Sequence, residues 1–123
     1  MGIRRNIIFT GYRTDIPEIL TSCDILLFLS QQPEGFGRPI IEGMASKIPV
    51  VVTDIGPSAE ILGSSSGILV QKNNEEEVYQ AILKLLNNNK IYKRMGESGY
   101  KRVDKMFDYK KYVEKFEKLI STF

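Results

Sequence analysis

The sequence predicts an α/β protein built on a parallel sheet of about four strands, with helices on both faces and a helical C-terminus. Three observations predict this fold. Short apolar runs of strand length alternate with segments that carry helix-start signals, which is typical of parallel sheets. Ile25–Leu29 is apolar throughout, as strands are when helices cover both faces of a sheet. After Val70 only helical patterns remain. The length of 123 residues suits one domain, residues 1–123.

The four strands are predicted from short runs of β-branched and other apolar residues. The first, Asn6–Thr10, is closed by Gly11, and the second is Ile25–Leu29. The third is Pro49–Thr53, in which three consecutive valines favour a buried strand. The fourth is Gly67–Val70, which follows a loop of one glycine and three serines.

The helices are predicted where a capping residue or a proline precedes apolar periodicity. Thr14 or Asp15 is the expected cap of the first helix, and three glutamates after Asn74 suit a helix start. The predicted helices begin near Asp15, Pro39, Ser58, Asn74 and Ile91, and a last one runs from Tyr109 to Ile120.

The composition excludes several kinds of site. The chain has no histidine and one cysteine. A Ser-His-Asp or Cys-His catalytic site made by this chain alone is therefore excluded, and a structural zinc site nearly so. The lone Cys23 cannot form an internal disulfide, which favours a reducing, cytoplasmic location. No apolar run approaches the roughly 20 residues that span a bilayer.

The net charge of +2 is unevenly distributed. Residues 1–70 carry a net charge of −2, and residues 71–123 carry +4. Alternating charges in the second half indicate solvated helix faces, with contact to a phosphate-rich surface as the alternative. The tyrosines of the last predicted helix are expected to pack rather than to stack on bases, so no nucleic-acid partner is expected.

Glu34–Glu42 is the strongest candidate for a functional site. The segment follows the apolar run Ile25–Leu29, at the end of a strand where α/β sheets bind ligands. A helix beginning near Arg38 would direct unpaired amides and a positive dipole at a phosphate. The glycines on either side of Phe36 would let the backbone approach a ligand closely.

The two glutamates of this segment suit sugar hydroxyls. Glu42 lies about one turn into the helix and could lean back towards its start, where a carboxylate can accept both hydrogens of a ribose diol. Glu34 could accept hydrogen bonds from other sugar hydroxyls, and Arg38 could neutralise phosphate. The alternative is that Gly35–Gly37 is only a tight turn and Glu42 a solvated helix residue, since short motifs often match by chance.

Glu34–Glu42 resembles the E-x7-E motif of the retaining, nucleotide-sugar-dependent glycosyltransferases grouped with glycogen and sucrose synthases, the glycosyl transferases group 1. The resemblance covers about residues 6–107 and implies a GT-B enzyme, of which this chain would be the later part of the Rossmann-like, donor-binding domain. It is carried by Phe9–Tyr12, Asp24–Ser30, Glu34–Ala45, Ile48–Gly56, Ala59–Leu62 and Gly67–Val70.

The resemblance implies roles for individual residues. Glu34 would contact the transferred sugar as the catalytic residue, and Glu42 would hold the ribose. Members of the family retain the configuration of the sugar and usually bind the donor without a metal, so no cofactor is expected. The residues implied to bind the nucleotide diphosphate sugar are Glu34, Gly35, Phe36, Gly37, Arg38, Pro39 and Glu42, with Gly11, Tyr12 and Arg13 near the base.

The resemblance also implies that parts of the enzyme are missing. These are the acceptor-binding N-terminal domain and the first strands of the donor domain, which carry the Arg and Lys that usually clamp the diphosphate. The isolated chain is therefore expected to be inactive, and the full-length enzyme could contact a membrane peripherally. Strands without neighbours leave an open edge, so we expect self-association through the sheet edge or the helix at Tyr109–Ile120.

Two other functions stay open. A non-catalytic binding or oligomerisation module could retain this fold without the reaction, although the intact Glu34 and Glu42 argue against it. A small receiver-like domain would need a cluster of acidic residues at its strand ends, which Asp24 and Asp54 do not supply convincingly.

Overall fold

The computed structural model describes residues 2–32, 37–106, 114 and 117–121. A 3-10 helix at Gly2–Asn6 comes first. The elements that follow, in chain order, are α1 (Ile16–Leu20), β1 (Leu26–Phe28), α2 (Arg38–Ala45), β2 (Val50–Thr53), α3 (Ser58–Leu62), β3 (Gly67–Val70), α4 (Glu75–Asn87) and α5 (Asn89–Met106).

The strand β2 lies at the centre of a parallel sheet in the order β1-β2-β3. Leu27 of β1 lies opposite Val51, and Val51 lies opposite Ile68 of β3. All four residues of β2 are buried, because the strand has a neighbour on each side and helices on each face. The buried strand predicted from the three valines is therefore confirmed.

Apolar side chains fill both faces of the sheet. Each buried aliphatic side chain contributes about 1.5–3 kcal/mol of hydrophobic free energy, so the apolar side chains on the two faces hold the helices against the sheet. One face packs Val50 and Val52 against Ile40 and Met44 of α2 and Ile61 and Leu62 of α3. The other face packs Val51 and Val70 against Ala81 and Leu85 of α4, with Ile91, Tyr92 and Met95 of α5 alongside.

Arg102 of α5 fixes the short helix α3 in place. Its Nε donates a hydrogen bond to the carbonyl of Ile61 at 2.8 Å, and its Nη2 donates to the carbonyl of Glu60 at 2.7 Å. Carbonyls in the last turn of a helix have no partner within that helix. The guanidinium supplies one, and hydrogen bonds from a charged donor are stronger than neutral ones. A residue about 40 positions later in the chain thus fixes the end of α3.

The strand predicted at Asn6–Thr10 is wrong. Asn6 ends the 3-10 helix, residues 7–10 form no regular structure, and Ile8 and Phe9 are exposed. A strand needs a neighbour that pairs with its backbone groups. Within the described ranges β1 pairs only with β2, so no strand lies beside this segment and the sheet has three strands rather than about four.

The helices begin close to where the sequence predicts them. Asp15 occupies the cap position of α1, but its carboxylate binds Arg13 and does not cap the helix. Asn74 caps α4, since its Oδ1 accepts a hydrogen bond from the Glu77 amide at 3.0 Å. Most of the last predicted helix, Tyr109–Ile120, lies outside the described residues, although residues 114 and 117–121 are helical. Among the helices described, none is long and apolar enough to cross a membrane.

Candidate functional site

The helix α2 begins at Gly37, at the carboxyl edge of the sheet. Gly37 has φ 64° and ψ 36°, a left-handed conformation, and its carbonyl accepts hydrogen bonds from the amides of Ile40 and Ile41 at 3.0 and 3.3 Å. A Cβ at this position would lie 2.7 Å from Cδ1 of Ile61. The left-handed angle favours glycine, and any side chain here would have to displace the end of the Ile61 side chain. The eight-residue helix that follows has its positive dipole end at this edge.

Arg38 and Glu42 form an ion pair on the first turn of α2. Nε of Arg38 donates to Oε1 of Glu42 at 3.0 Å, and the two side chains are 87% and 28% exposed, respectively. Glu42 therefore leans back towards the start of the helix, as side chains on a helix do. An exposed pair of this kind contributes little to stability, and salt screens it. The carboxylate can accordingly exchange this partner for a ligand.

A cleft lies beside Gly37, between the carboxyl ends of β1 and β2 and the starts of α2 and α3. Its apolar walls include Phe28, Ile40 and Ile55. Thr53 and Ser58 are also among its lining residues, and Thr53 lines a second cleft beside Val70 and Val78 as well. The enclosed space measures about 10 Å³, roughly the room that one water molecule needs, so it fits one small polar group of a ligand and not a nucleotide sugar.

The structure brings together four of the residues predicted to bind a nucleotide sugar. Gly37, Arg38, Pro39 and Glu42 lie within the first five residues of α2 and its cap. The predicted residues Glu34, Gly35 and Phe36 lie outside the described residues.

The residues Gly11, Tyr12 and Arg13 form a separate, exposed loop. Arg13 binds Asp15 there, with Nη2 2.6 Å from Oδ2. This hydrogen-bonded pair lowers the pKa of the Asp15 carboxyl and raises the pKa of Arg13. Within the described part of the chain, no hydrogen bond or ion pair joins this loop to α2. That Gly11, Tyr12 and Arg13 lie near the base of the donor stays a prediction.

The sequence did not single out Thr53 and Ser58 as site residues. The signal that could have found them is a hydroxyl residue at the end of an apolar strand, followed by a second one at the next helix start. No group of three or more Cys, Asp or Glu side chains among the described residues is placed to hold a metal ion. Among the described residues, this edge therefore offers a ligand a helix start, one ion pair and the hydroxyl-bearing Ser58.

The chain is similar to glycosyltransferases in sequence and in structure. Residues 1–102 match the family model for glycosyl transferases group 1. An uncharacterized glycosyltransferase of Methanocaldococcus jannaschii is 36% identical over 100 residues, which are 80% of this chain and 28% of that protein. A mutant of TarM from S. aureus, crystallised with fondaparinux, alpha-GlcNAc-glycerol and UDP, has a TM-score of 0.78 and 30% identity, over 95% of this chain and 24% of that one.

HepE of Anabaena, crystallised with UDP, has a TM-score of 0.92 and covers 99% of this chain and 34% of its own. At 24% identity it shows that the fold is shared. The chain spans about a quarter to a third of the length of the relatives it matches. Because the family model matches most of the sequence, the resemblance inferred from the motif is confirmed at the level of the family. The chain belongs to the glycosyl transferases group 1.

Proposed function

We propose that this chain binds the nucleotide diphosphate sugar of a retaining glycosyltransferase, which transfers a hexose to an acceptor. The observation that carries the proposal is the position of Glu42. Its carboxylate leans towards the N-terminus of α2, at the carboxyl edge of a parallel sheet, where α/β proteins bind their ligands.

The first turn of α2 offers complementary chemistry to the two ends of a nucleoside diphosphate. The helix start attracts the negative charge of the phosphates. Arg38 is exposed enough to rotate away from Glu42 and meet a phosphate oxygen. Glu42 is then free to accept hydrogen bonds from both hydroxyls of the ribose, since a carboxylate only accepts. The ion pair therefore holds the two side chains ready before the donor arrives.

The relatives support this assignment. The TarM mutant, 30% identical to this chain, was crystallised with UDP. A uridine nucleotide is therefore the first donor to test. Glu34 is proposed to contact the transferred sugar, and the amides of Gly35 and Phe36 to face the sugar and the phosphates. The relatives are three to four times as long as this chain, and transfer requires an acceptor held beside the donor. Donor binding is therefore the part of the reaction to measure with this chain.

Calorimetric titration with UDP, GDP, ADP and their sugars tests the proposal. We expect one nucleotide to bind, and Glu42→Ala to weaken that binding at least tenfold, because two hydrogen bonds to a charged acceptor are lost. Glu97→Ala is the matched control, since it removes an exposed glutamate from α5. Absence of binding by the wild-type chain, or unchanged binding by Glu42→Ala, would refute the proposal.

We also propose that the chain self-associates. The support is the open side of β1, which pairs only with β2 among the described residues, and the exposed side chains of Leu27 and Leu29 on and just after this strand. Edges of this kind pair with other chains unless they are covered.

A further inference from the structure

The second cleft lies at the carboxyl edge of the sheet, on the face that α4 covers. It opens between the ends of the strands and the start of α4, whereas α2 and the cleft beside Gly37 lie across the sheet. Its space of about 140 Å³ is roughly ten times what one water molecule needs. The second cleft therefore has room for a ring-sized group of a ligand.

Thr53 places a nearly buried hydroxyl in the second cleft. Side chains alternate along a strand, so Thr53 lies on the same face as Val51, which packs with Val70 against α4. Thr53 is 3% exposed, and its hydroxyl has no hydrogen-bond partner among the residues that the structure describes. Every fully buried side-chain oxygen or nitrogen in those ranges has a partner, so the Thr53 oxygen must account for part of the remaining exposure. Such a hydroxyl costs free energy until a ligand or water completes its hydrogen bonds.

The turn between β3 and α4 holds the polar wall of the second cleft in place. The backbone amide of Gln71 donates a hydrogen bond to the carboxylate of Glu77, and the amide of Asn74 donates to the carbonyl of Gln71 at 3.2 Å. Asn73, between them, has a left-handed backbone with φ 60°. A wall that is fixed before binding loses less entropy when its ligand arrives.

The lining of the second cleft matches a neutral sugar ring. Amide side chains both donate and accept hydrogen bonds, as hydroxyl groups do, and the cleft has exposed ones at Gln31, Gln71 and Asn73. No Lys, Arg or aromatic side chain is among its described lining residues, so it offers a phosphate no counter-charge and a base no ring to stack on. Glu75, a further lining residue, accepts hydrogen bonds from hydroxyls and repels anions. The apolar part of the lining suits the C–H groups of a ring and consists of Leu29, Val70 and Val78.

We propose that the second cleft binds one neutral sugar ring of a glycan, at a site separate from the donor site at the start of α2. The two sites lie on opposite faces of the sheet and open at the same carboxyl edge. A sugar in the second cleft therefore needs no nucleotide to hold it. The proposal goes beyond donor binding and does not rest on it.

Nuclear magnetic resonance of the isotope-labelled chain tests the proposal, with the methyl glycosides of glucose, mannose and N-acetylglucosamine as probes. We expect at least one of them to shift the backbone amide resonances of Thr53 and Asn73. The dissociation constant should be on the order of 1–10 mM, since a single ring offers few atoms for contact.

Two variants remove polar groups from the second cleft and keep the fold. Thr53→Val retains the shape and removes a hydroxyl without a described partner, so urea denaturation should show no loss of stability. Asn73→Gly retains the left-handed turn and removes an amide. We expect each variant to bind the sugar about three- to tenfold more weakly. The matched controls, Ser66→Ala before β3 and Asn87→Ala at the far end of α4, should bind it as the wild type does.

UDP provides the second arm of the experiment. It should neither shift the resonances of Thr53 and Asn73 nor displace the sugar, because the donor site lies across the sheet. Displacement by UDP would place the sugar in the donor site and overturn the proposal. The proposal also fails if none of the glycosides shifts these resonances, or if both cleft variants bind as tightly as the wild type. A chain that binds a sugar in this cleft but no nucleotide would refute donor binding alone.

Discussion

At the scale of single residues, Gly37 is restricted both by its backbone angle and by its neighbours. Its φ of 64° disfavours any side chain, and a Cβ would lie 2.7 Å from Cδ1 of Ile61 and 3.3 Å from Cδ1 of Ile40. We expect Gly37→Ala to lower the free energy of unfolding by about 2–4 kcal/mol, since left-handed strain and overpacking of the core add. Urea denaturation measures this loss.

Gly11→Ala separates the two causes. Gly11 has a similar φ of 65°, but nothing lies within 4 Å of its Cβ position. We expect this control to lose only the conformational part, about 1–2 kcal/mol. Equal losses at the two positions would mean that contact with Ile61 contributes nothing.

At the scale of secondary structure, Tyr92 joins α5 to the segment before β1. Its hydroxyl donates a hydrogen bond to the carbonyl of Asp24 at 2.6 Å. Burial, and to a smaller extent the charge of Asp24, raise the pKa of Tyr92. A raised pKa in the folded state stabilises the protein fully below the unfolded value, about 10. That contribution is lost as the pH rises through the folded pKa.

Tyr92→Phe is therefore expected to act differently at neutral and alkaline pH. Near pH 7 it should cost about 0.5–1 kcal/mol, the lower part of the range for one hydrogen bond, because this bond is exposed. As the pH rises above 10 and through the raised folded pKa, the wild type progressively loses the same bond, so the two stabilities should converge. Chemical denaturation between pH 7 and 11 measures the difference. The control Tyr100→Phe removes a hydroxyl without a hydrogen bond to any described residue, and a convergence there as well would contradict the assignment.

The elements that could be predicted from the sequence are those that depend on local pattern. Three consecutive valines identify β2, and Asn74 with its glutamates identifies the start of α4. Asn6–Thr10 has an equally good strand pattern but no strand beside it, and pairing depends on residues far away in the chain. For the same reason the motif pointed to Gly37 to Glu42 of α2 but not to the residues of other elements that line the cleft beside them. Only the packed structure brings those elements together.

At the scale of the whole molecule, the open side of the sheet is the surface through which we propose that the chain associates. Ile7, Ile8 and Phe9 form an exposed apolar segment before α1, and Leu27 of β1 is also exposed. The apolar segment and the free side of β1 offer both hydrophobic area and unpaired backbone groups to a second copy. We therefore expect the mass measured by light scattering to rise above the 14.0 kDa of one chain as concentration increases.

Leu27→Lys tests which surface is responsible. A charged side chain on an edge strand opposes pairing with another strand, so this variant should remain closer to the monomer mass at every concentration. Leu86→Lys is the matched control, because Leu86 is at least as exposed but lies on α4, away from the sheet edge, and it should associate as the wild type does. Loss of association in both variants would implicate general surface hydrophobicity instead of the edge. A wild-type chain that stays monomeric throughout the concentration range would contradict self-association itself. Something other than a second copy would then have to cover the exposed residues Ile7–Phe9.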